Sequence, residues 1–411
     1  MLAFTFPGQG SQKPAMGAAW TGHPSWELIE KASAFADRDI AHLLLDAGAD
    51  ELTETRNAQL ATFALSLVIL DALKRLGLQP AFVAGHSLGE YTALVATGAL
   101  SFEEGCQVVV ERGEAMQGAA ADQPGTMYAI LGLSDAQVDV ACHRADGDVW
   151  VANYNADGQV VIAGSQEALA RAGAIAKELG AKRALPLPVG GAFHTPYMAS
   201  ARARLRKALA AASFSDPKFP IVANVDGTTH RDGNEWADLC SAQLCSPVRW
   251  RQSVEHLVEL GTTSLIEVGP GNVLTGLAKR ISPKTKAHSV ATPDDLDRLV
   301  EALAAPPESK PEHPRSEHDS SETDLHDGEH LFIHERLIVS QSTGLYSPVE
   351  PPLEPATGSR LTAGTVVGLV GESEVRTPFA GTLMGILALV GERITPGQPI
   401  AWLRTDEATT G

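Results

Sequence analysis

Gly85-His86-Ser87-Leu88-Gly89 places a serine between glycines where a short apolar run, Phe82-Val83-Ala84, gives way to a helical pattern from Leu88 to about Thr97. A strand that turns sharply into a helix at G-x-S-x-G projects the serine oxygen outward and aims the next backbone N–H at a reacting carbonyl. A serine that merely caps a helix N-terminus fits the same five residues; the strand before and the helix after favour the nucleophile. A serine hydroxyl needs a base within hydrogen-bond reach. Among thirteen histidines, His194 stands in the glycine-rich stretch Gly190-Gly191-Ala192-Phe193-His194-Thr195-Pro196, just ahead of a helix. His86 adjoins the serine, but its side chain should point away from the turn and reads as structural.

The elements that must position these groups alternate short β-rich runs with amphipathic helices over residues 1 to 304, the pattern of an α/β domain. Ser264 to Val268 reads as a further strand, with a helix beginning near Asn272. Inside this core, residues 126 to 188 follow another order: strand Met127 to Leu131, helix Asp135 to Arg144, hairpin Val149 to Ala163, helix Gln166 to Leu179, strand Ala181 to Pro186. That β-α-β-β-α-β succession predicts an inserted ferredoxin-like subdomain.

The chain has 411 residues, 44% apolar, enough for two or three domains and incompatible with a hormone peptide, a collagen-like fibre or a wholly disordered polymer. Its formal charge of −18 argues against nucleic acid or anionic membrane as partner. Cys106, Cys142, Cys240 and Cys245 fall in no paired metal-ligand spacing and are too sparse for a disulfide scaffold, which points to a reducing compartment. The N-terminus runs directly into Phe6-Pro7-Gly8 without a basic start or apolar signal core, so a cytoplasmic location is expected.

Residues 305 to 334 read as an acidic flexible linker. From Ala305 to His330, eight acidic residues face only Lys310 and Arg315, and Leu325 is the single large aliphatic side chain. His313, His318, His326, His330 and His334 could bind a metal weakly, but nothing fixes their geometry and no metal site is expected. Beyond them, within a domain at 335 to 411, Gly358-Ser-Arg-Leu-Thr-Ala-Gly recurs as Gly391-Glu-Arg-Ile-Thr-Pro-Gly, matching at glycine, arginine, threonine and glycine. Two such halves predict a small pseudo-symmetric all-β module.

Several separated motifs, in order, resemble the malonyl-CoA:acyl-carrier-protein transacylases and the related acyltransferase domains of polyketide synthases over residues 2 to 303. They are Phe6-Pro7-Gly8-Gln9-Gly10-Ser11-Gln12, Gly85 to Tyr91, Glu111-Arg112-Gly113, Gly191 to Pro196, Gln243 to Trp250, and Glu267-Val268-Gly269-Pro270-Gly271. The resemblance implies an α/β acyltransferase core with a parallel sheet and the same inserted subdomain. It implies that Ser87 attacks the thioester of malonyl-CoA while His194 takes and returns the proton, and that a carrier-protein phosphopantetheine thiol then removes the malonyl group. It further implies a main-chain carbonyl near Gln243 that orients the imidazole in place of a carboxylate, and an oxyanion hole from the N–H groups of Gln9 and Leu88. Arg112 matches the arginine that grips the malonyl carboxylate, although by itself it could also be a surface partner of Glu111 or Glu114. Phe193 resembles the malonyl-selective pattern and would crowd an α-methyl group.

Residues 335 to 405 resemble, in turn, the biotinyl/lipoyl carrier domain, a flattened barrel of two similar halves. The likeness lies in Thr343 to Pro348, Gly358 to Gly371 and Val375 to Leu403. Carriers of that family present a lysine on a hairpin, whereas this chain has Gly371-Glu372-Ser373-Glu374 there and no lysine after Lys310. No biotin or lipoate attachment is expected. Docking to a carboxylase or synthase complex, or support of an oligomer, remain as uses for the module. Carrier proteins are acidic, and two basic groups could receive one: Arg202, Arg204, Arg206 and Lys207, or Lys279, Arg280, Lys284 and Lys286. Either could equally be a solvated helical face. A serine hydrolase or thioesterase using the same turn, and a scaffold whose catalytic half is secondary, are the rival functions; Arg112 and the intact set of Gln9, Ser87 and His194 argue against them. Fatty-acid and polyketide acceptors are not distinguished.

Overall fold

A computed structural model describes residues 1–304, 335–349 and 359–404, so residues 305–334 and their histidines lie outside the described residues. The described chain divides into two compact units, with the boundary between Leu303 and Ala304.

In the first unit, β1 (Leu2–Phe6) and β2 (Phe82–Gly85) lie side by side and parallel, with Phe6 opposite Gly85. The loops after them therefore leave the same edge of the sheet together. The inserted subdomain follows: β3 (Thr126–Leu131), β4 (Val149–Ala156), β5 (Gln159–Gly164) and β6 (Arg183–Pro186), in spatial order β4-β5-β3-β6 and antiparallel throughout. Helices Asp135–Arg144 and Gln166–Glu178 cover one face of it, where Ile130, Val138, Ile162 and Leu169 form a core of their own. Met127, Ala152, Val161 and Ala163 on the other face join the large core instead. Alternation along each strand accounts for the split, since successive side chains point to opposite faces.

The main sheet is completed by β7 (Ile221–Val222), β8 (Thr229–His230), β9 (Ser264–Val268) and β10 (Lys286–Val290), in the order β10-β9-β1-β2-β7-β8. A parallel sheet is the expectation, and β10, β9, β1, β2 and β7 are parallel, but the sheet as a whole is mixed because β8 runs antiparallel to β7. The physical reason is the connection, a tight turn closed by the Ala223 N–H on the Thr228 carbonyl at 2.9 Å, which can only reverse the chain. Helix Thr55–Arg75 is the one helix among the described residues long and apolar enough to cross a membrane, and 89% of that apolar window is buried in the protein's own core. Helix Phe102–Asp122 packs against it, opened by a Ser101/Glu104 capping box.

The second unit is all-β. Its strands are β11 (Glu335–Val339), β12 (Gly344–Ser347), β13 (Arg360–Leu361), β14 (Val366–Val370), β15 (Ser373–Arg376), β16 (Gly381–Ile386), β17 (Arg393–Ile394) and β18 (Pro399–Arg404). They form two four-stranded sheets, β11-β18-β16-β13 and β15-β14-β12-β17. The internal repeat becomes matched geometry: β13 and β14 flank Gly364 as β17 and β18 flank Gly397, with φ of +90° and +83°. In each copy a threonine carbonyl accepts the turn-closing N–H at 3.1 Å, Thr362 from Thr365 and Thr395 from Gln398. Ile338, Tyr346, Val370, Leu383, Ile394 and Leu403 fill the core.

Candidate active site

β2 ends at Gly85, and helix Gly89–Thr97 begins four residues later. A Cβ on Gly85 would lie 1.9 Å from the Gly89 carbonyl carbon, and one on Gly89 would lie 2.0 Å from the Phe6 carbonyl oxygen. Only glycine fits at either position. Ser87, between them, has φ of +51°, a left-handed conformation that is costly for a residue with a Cβ. The surrounding bonds hold it: Asn224 Oδ1 accepts the Ser87 N–H at 2.7 Å, and Asn224 Nδ2 donates to the Gly85 carbonyl at 2.6 Å. The loop after β1 comes close to the same turn, since a Cβ on Gly8 would stand 2.6 Å from the His86 carbonyl oxygen.

His194 approaches from the far side, also with positive φ, at +62°. Its Nε2 is 2.7 Å from Ser87 Oγ, and its Nδ1 is 2.8 Å from the main-chain carbonyl of Gln243. A carbonyl can only accept, so Nδ1 carries the hydrogen and Nε2 presents its lone pair to the serine hydroxyl. Burial, and then the charge of Arg112, push the His194 pKa down to about 3, which keeps the imidazole a neutral base.

Arg112 is 1% exposed, and the surface alternative for it falls. Glu111 pairs with Arg204 instead, and Glu114 with Arg38 and Arg56. From helix Phe102–Asp122 the guanidinium reaches inward: Nη1 donates to Gln59 Oε1 at 2.6 Å, and Nη2 donates to Gln243 Oε1 at 2.9 Å and to Ser87 Oγ at 3.1 Å. It also lies 5.1 Å from the centre of the Tyr91 ring. A cation so fixed beside a nucleophile can hold an anionic group on the molecule under attack.

A cavity of about 280 Å³ opens over these groups. Gln9, Ser87, Arg112, Phe193 and His194 all line it, with Met127, Asn153 and Val161 of the subdomain forming the opposite wall. Gln243 lies beneath, joining Arg112 to His194. Leu88 is fully buried, and among the described residues the backbone N–H groups of Leu88 and Gln9 make no hydrogen bond. His86 lines the cavity too, while its Nε2 bonds Asn155 Oδ1 at 2.9 Å and its ring meets the edge of Trp250. Gln59, Asn155 and Asn224 carried no sequence signal as site residues; a lone glutamine in the apolar helix Thr55–Arg75 is the nearest thing to one.

A serine at a strand–helix turn, a histidine base held by a carbonyl and a buried cation beside them define an α/β acyl-transfer site of the serine-nucleophile class. A family model described as acyl transferase domain matches residues 3–300. Malonyl CoA-acyl carrier protein transacylases of Bacillus subtilis and Escherichia coli are 38% and 42% identical, aligned over 74% and 73% of this chain and 97% and 99% of theirs. Among solved structures, an acyl carrier protein S-malonyltransferase of Vibrio cholerae is 41% identical with a TM-score of 0.70, covering 72% of this chain and 99% of that one. A malonyl-transacylase solved with its type II polyketide-synthase acyl-carrier protein is 40% identical with a TM-score of 0.71, covering 73% and 99%. The chain belongs to the malonyl-CoA:acyl-carrier-protein transacylase family of acyl transferase domains.

Proposed function

We propose that the protein takes a malonyl group from malonyl-CoA onto Ser87 and delivers it to the phosphopantetheine thiol of an acyl carrier protein. The observation that carries this reading is the position of Ser87 Oγ, 2.7 Å from His194 Nε2 and 3.1 Å from Arg112 Nη2. The acyl carbonyl meets the nucleophile while the distal carboxylate meets the guanidinium. His194 Nε2 takes the hydroxyl proton as Oγ bonds the thioester carbon, and the oxyanion rests on the N–H groups of Gln9 and Leu88. Collapse breaks the carbon–sulfur bond, and the proton returns from Nε2 to the CoA sulfur. In the second half the carrier thiol gives its proton to Nε2, attacks the serine ester and leaves with the malonyl group; the proton goes back to Oγ. Gln243 serves through its carbonyl, fixing the imidazole tautomer. Phe193 narrows the acyl end of the cavity, a preference for malonyl over methylmalonyl in the range of ~1–3 kcal/mol.

The second unit we read as a biotinyl/lipoyl-like barrel without its chemistry. The repeat-related strands support the fold assignment, and the β14–β15 hairpin, turning through Gly371 and Glu372 with no lysine, supports the lack of an attachment amine. On this reading residues 1–304 are the transferase, 305–334 the linker and 335–411 a docking module for a carboxylase or synthase complex.

The test is intact mass. Brief exposure to malonyl-CoA should add one malonyl group, located at Ser87, and an added holo carrier protein should remove it. A Ser87→Ala variant that is still labelled, or still transfers, overturns the reading.

A further inference from the structure

Glu90 is a buried ionisable group with no part in the reaction as described. It sits one residue into the helix that follows the nucleophile, 1% exposed, and does not line the cavity. Its two oxygens are both occupied: Oε1 accepts the Asn224 backbone N–H at 2.7 Å, and Oε2 accepts Gln243 Nε2 at 2.7 Å.

Each of those partners touches the reacting groups directly. The Asn224 side chain clamps the turn, accepting from the Ser87 N–H and donating to the Gly85 carbonyl. Gln243 Nε2 also donates to the Ser87 carbonyl at 2.8 Å, its Oε1 accepts from Arg112, and its main-chain oxygen holds His194. Glu90 Oε2 and the Ser87 carbonyl, both acceptors of Nε2, together set the orientation of the Gln243 amide. An acceptor at Oε2 draws the NH₂ end toward Glu90, leaving the oxygen end for Arg112; with the amide reversed, two donors would face each other at the guanidinium. Fixing that amide holds Arg112 and the Ser87 carbonyl, and the main-chain oxygen of the same residue holds His194.

We infer that Glu90 is a positioning residue for acyl transfer, its carboxylate fixing Asn224 and the Gln243 amide so that Ser87, Arg112 and His194 hold their places together. The inference rests on the roles proposed above for those three. Both bonds demand acceptors, so a carboxylate fits where a neutral amide must turn a donor toward one of two N–H groups. The groups facing it are Arg112 from helix Phe102–Asp122, Asp226 from the turn after β7, Cys240 from helix Trp236–Gln243, and Tyr91 on its own helix, with His194 beyond Arg112. Burial raises the Glu90 pKa to about 7; Asp226 adds to this, and the bonds from Asn224 and Gln243 and the charge of Arg112 oppose it. Loss of the proton completes the double acceptor, so acylation should gain rate as pH rises through that value.

The experiment is single-turnover acylation of the full chain by malonyl-CoA and by acetyl-CoA, read by intact mass from pH 5.5 to 8.5, for the wild type, Glu90→Gln, Asn224→Ala and Ser87→Ala. In the wild type, the rate should fall as pH drops through about 7 for both acyl groups; with acetyl-CoA, which has no carboxylate to offset the Arg112 charge, His194 stays near 3 and cannot supply that limb. Glu90→Gln should be slower by about 10–100-fold at pH 8 for both acyl groups, with the limb flattened because the titrating group is gone. A folded Glu90→Gln protein with wild-type rate, or with the limb intact, overturns the inference. Should that variant not fold, Asn224→Ala decides: it cuts the same relay beside Ser87 but leaves the Glu90 carboxylate in place, so it must be slow and keep the limb, and unimpaired acylation overturns the inference. Labelling of Ser87→Ala would instead overturn the proposed function itself.

Discussion

Arg112 and Ser87 are in direct contact: Nη2 of the guanidinium donates to the serine hydroxyl oxygen at 3.1 Å while that hydroxyl faces His194. A permanent positive charge beside the nucleophile favours its oxygen as an anion and disfavours a proton on the neighbouring imidazole. An incoming malonyl carboxylate would neutralise this charge, so the basicity of His194 rises when the correct acyl group is bound. On the proposed reading, selection of the acyl group and activation of the nucleophile would both pass through one guanidinium.

Removing that charge should therefore separate acyl groups. Arg112→Ala is expected to lose malonyl transfer by two or more orders of magnitude, roughly the 1.5–3 kcal/mol of a charge-assisted hydrogen bond plus misorientation. Acetyl transfer, which has no carboxylate to bind, should hold or rise. Parallel kcat/KM measurements with malonyl-CoA and acetyl-CoA check this, and equal losses would make Arg112 purely structural.

The glycines of the turn make a contrasting pair with a surface glycine. Gly85→Ala must move the Gly89 carbonyl, 1.9 Å from the new Cβ, and should cost at least about 2–3 kcal/mol. Gly118, exposed on helix Phe102–Asp122 with nothing within 4 Å, should gain about 0.5–1 kcal/mol on replacement by alanine. Chemical denaturation of the two variants gives both signs.

His230 should make stability depend on pH. Its Nε2 is 3.0 Å from Asp226 and its Nδ1 is 2.8 Å from Glu235; burial opposes the charge, but the paired carboxylates prevail and raise its pKa to about 9. The folded state thus holds a proton that the unfolded chain releases above its ordinary pKa of 6.5. The stabilisation is full below pH 6.5 and disappears as pH rises through about 9. Thermal melts of His230→Gln should fall below the wild type at pH 6 and converge with it near pH 9.5.

The parts of the site that sequence makes legible are those whose local geometry dictates residue type. Gly85 and Gly89 have no substitute where backbones touch, and the repeated glycine-arginine-threonine-glycine pattern forces the same turn twice in the second unit. Ser87 is legible from the strand–turn–helix context of its G-x-S-x-G stretch and His194 from its glycine-rich loop, whereas Arg112 is singled out only by a family motif. Asn224 and Gln59 escaped because an isolated amide has no pattern; each becomes a partner only through tertiary contact, 137 residues from Ser87 and 53 from Arg112. β8 escaped for a related reason, being two residues long with its direction set by the preceding turn.

Chemistry and appendage should come apart. The proposed reacting groups all lie within the compact unit Met1–Leu303. A chain ending at Ala304 is expected to keep malonyl transfer to a free carrier protein within a few-fold of the full chain. The full chain, produced beside active biotin and lipoate ligases, should show no added mass on residues 335 to 411. Near-complete loss of transfer on truncation would show that the second unit is needed for the first.

The wall of the cavity opposite Ser87 belongs to a subdomain with its own core, and its strand β4 meets the rest of the fold through a parallel bridge between Asn153 and Val248. Arg251 ties the same seam, reaching Asp135 at 2.7 Å and Asp157 at 2.6 Å. The width of the chamber consequently depends on a joint as well as on lining residues such as Phe193. Loosening the seam at Arg251, which does not line the cavity, should therefore widen the chamber for bulkier acyl chains while every lining side chain stays the same.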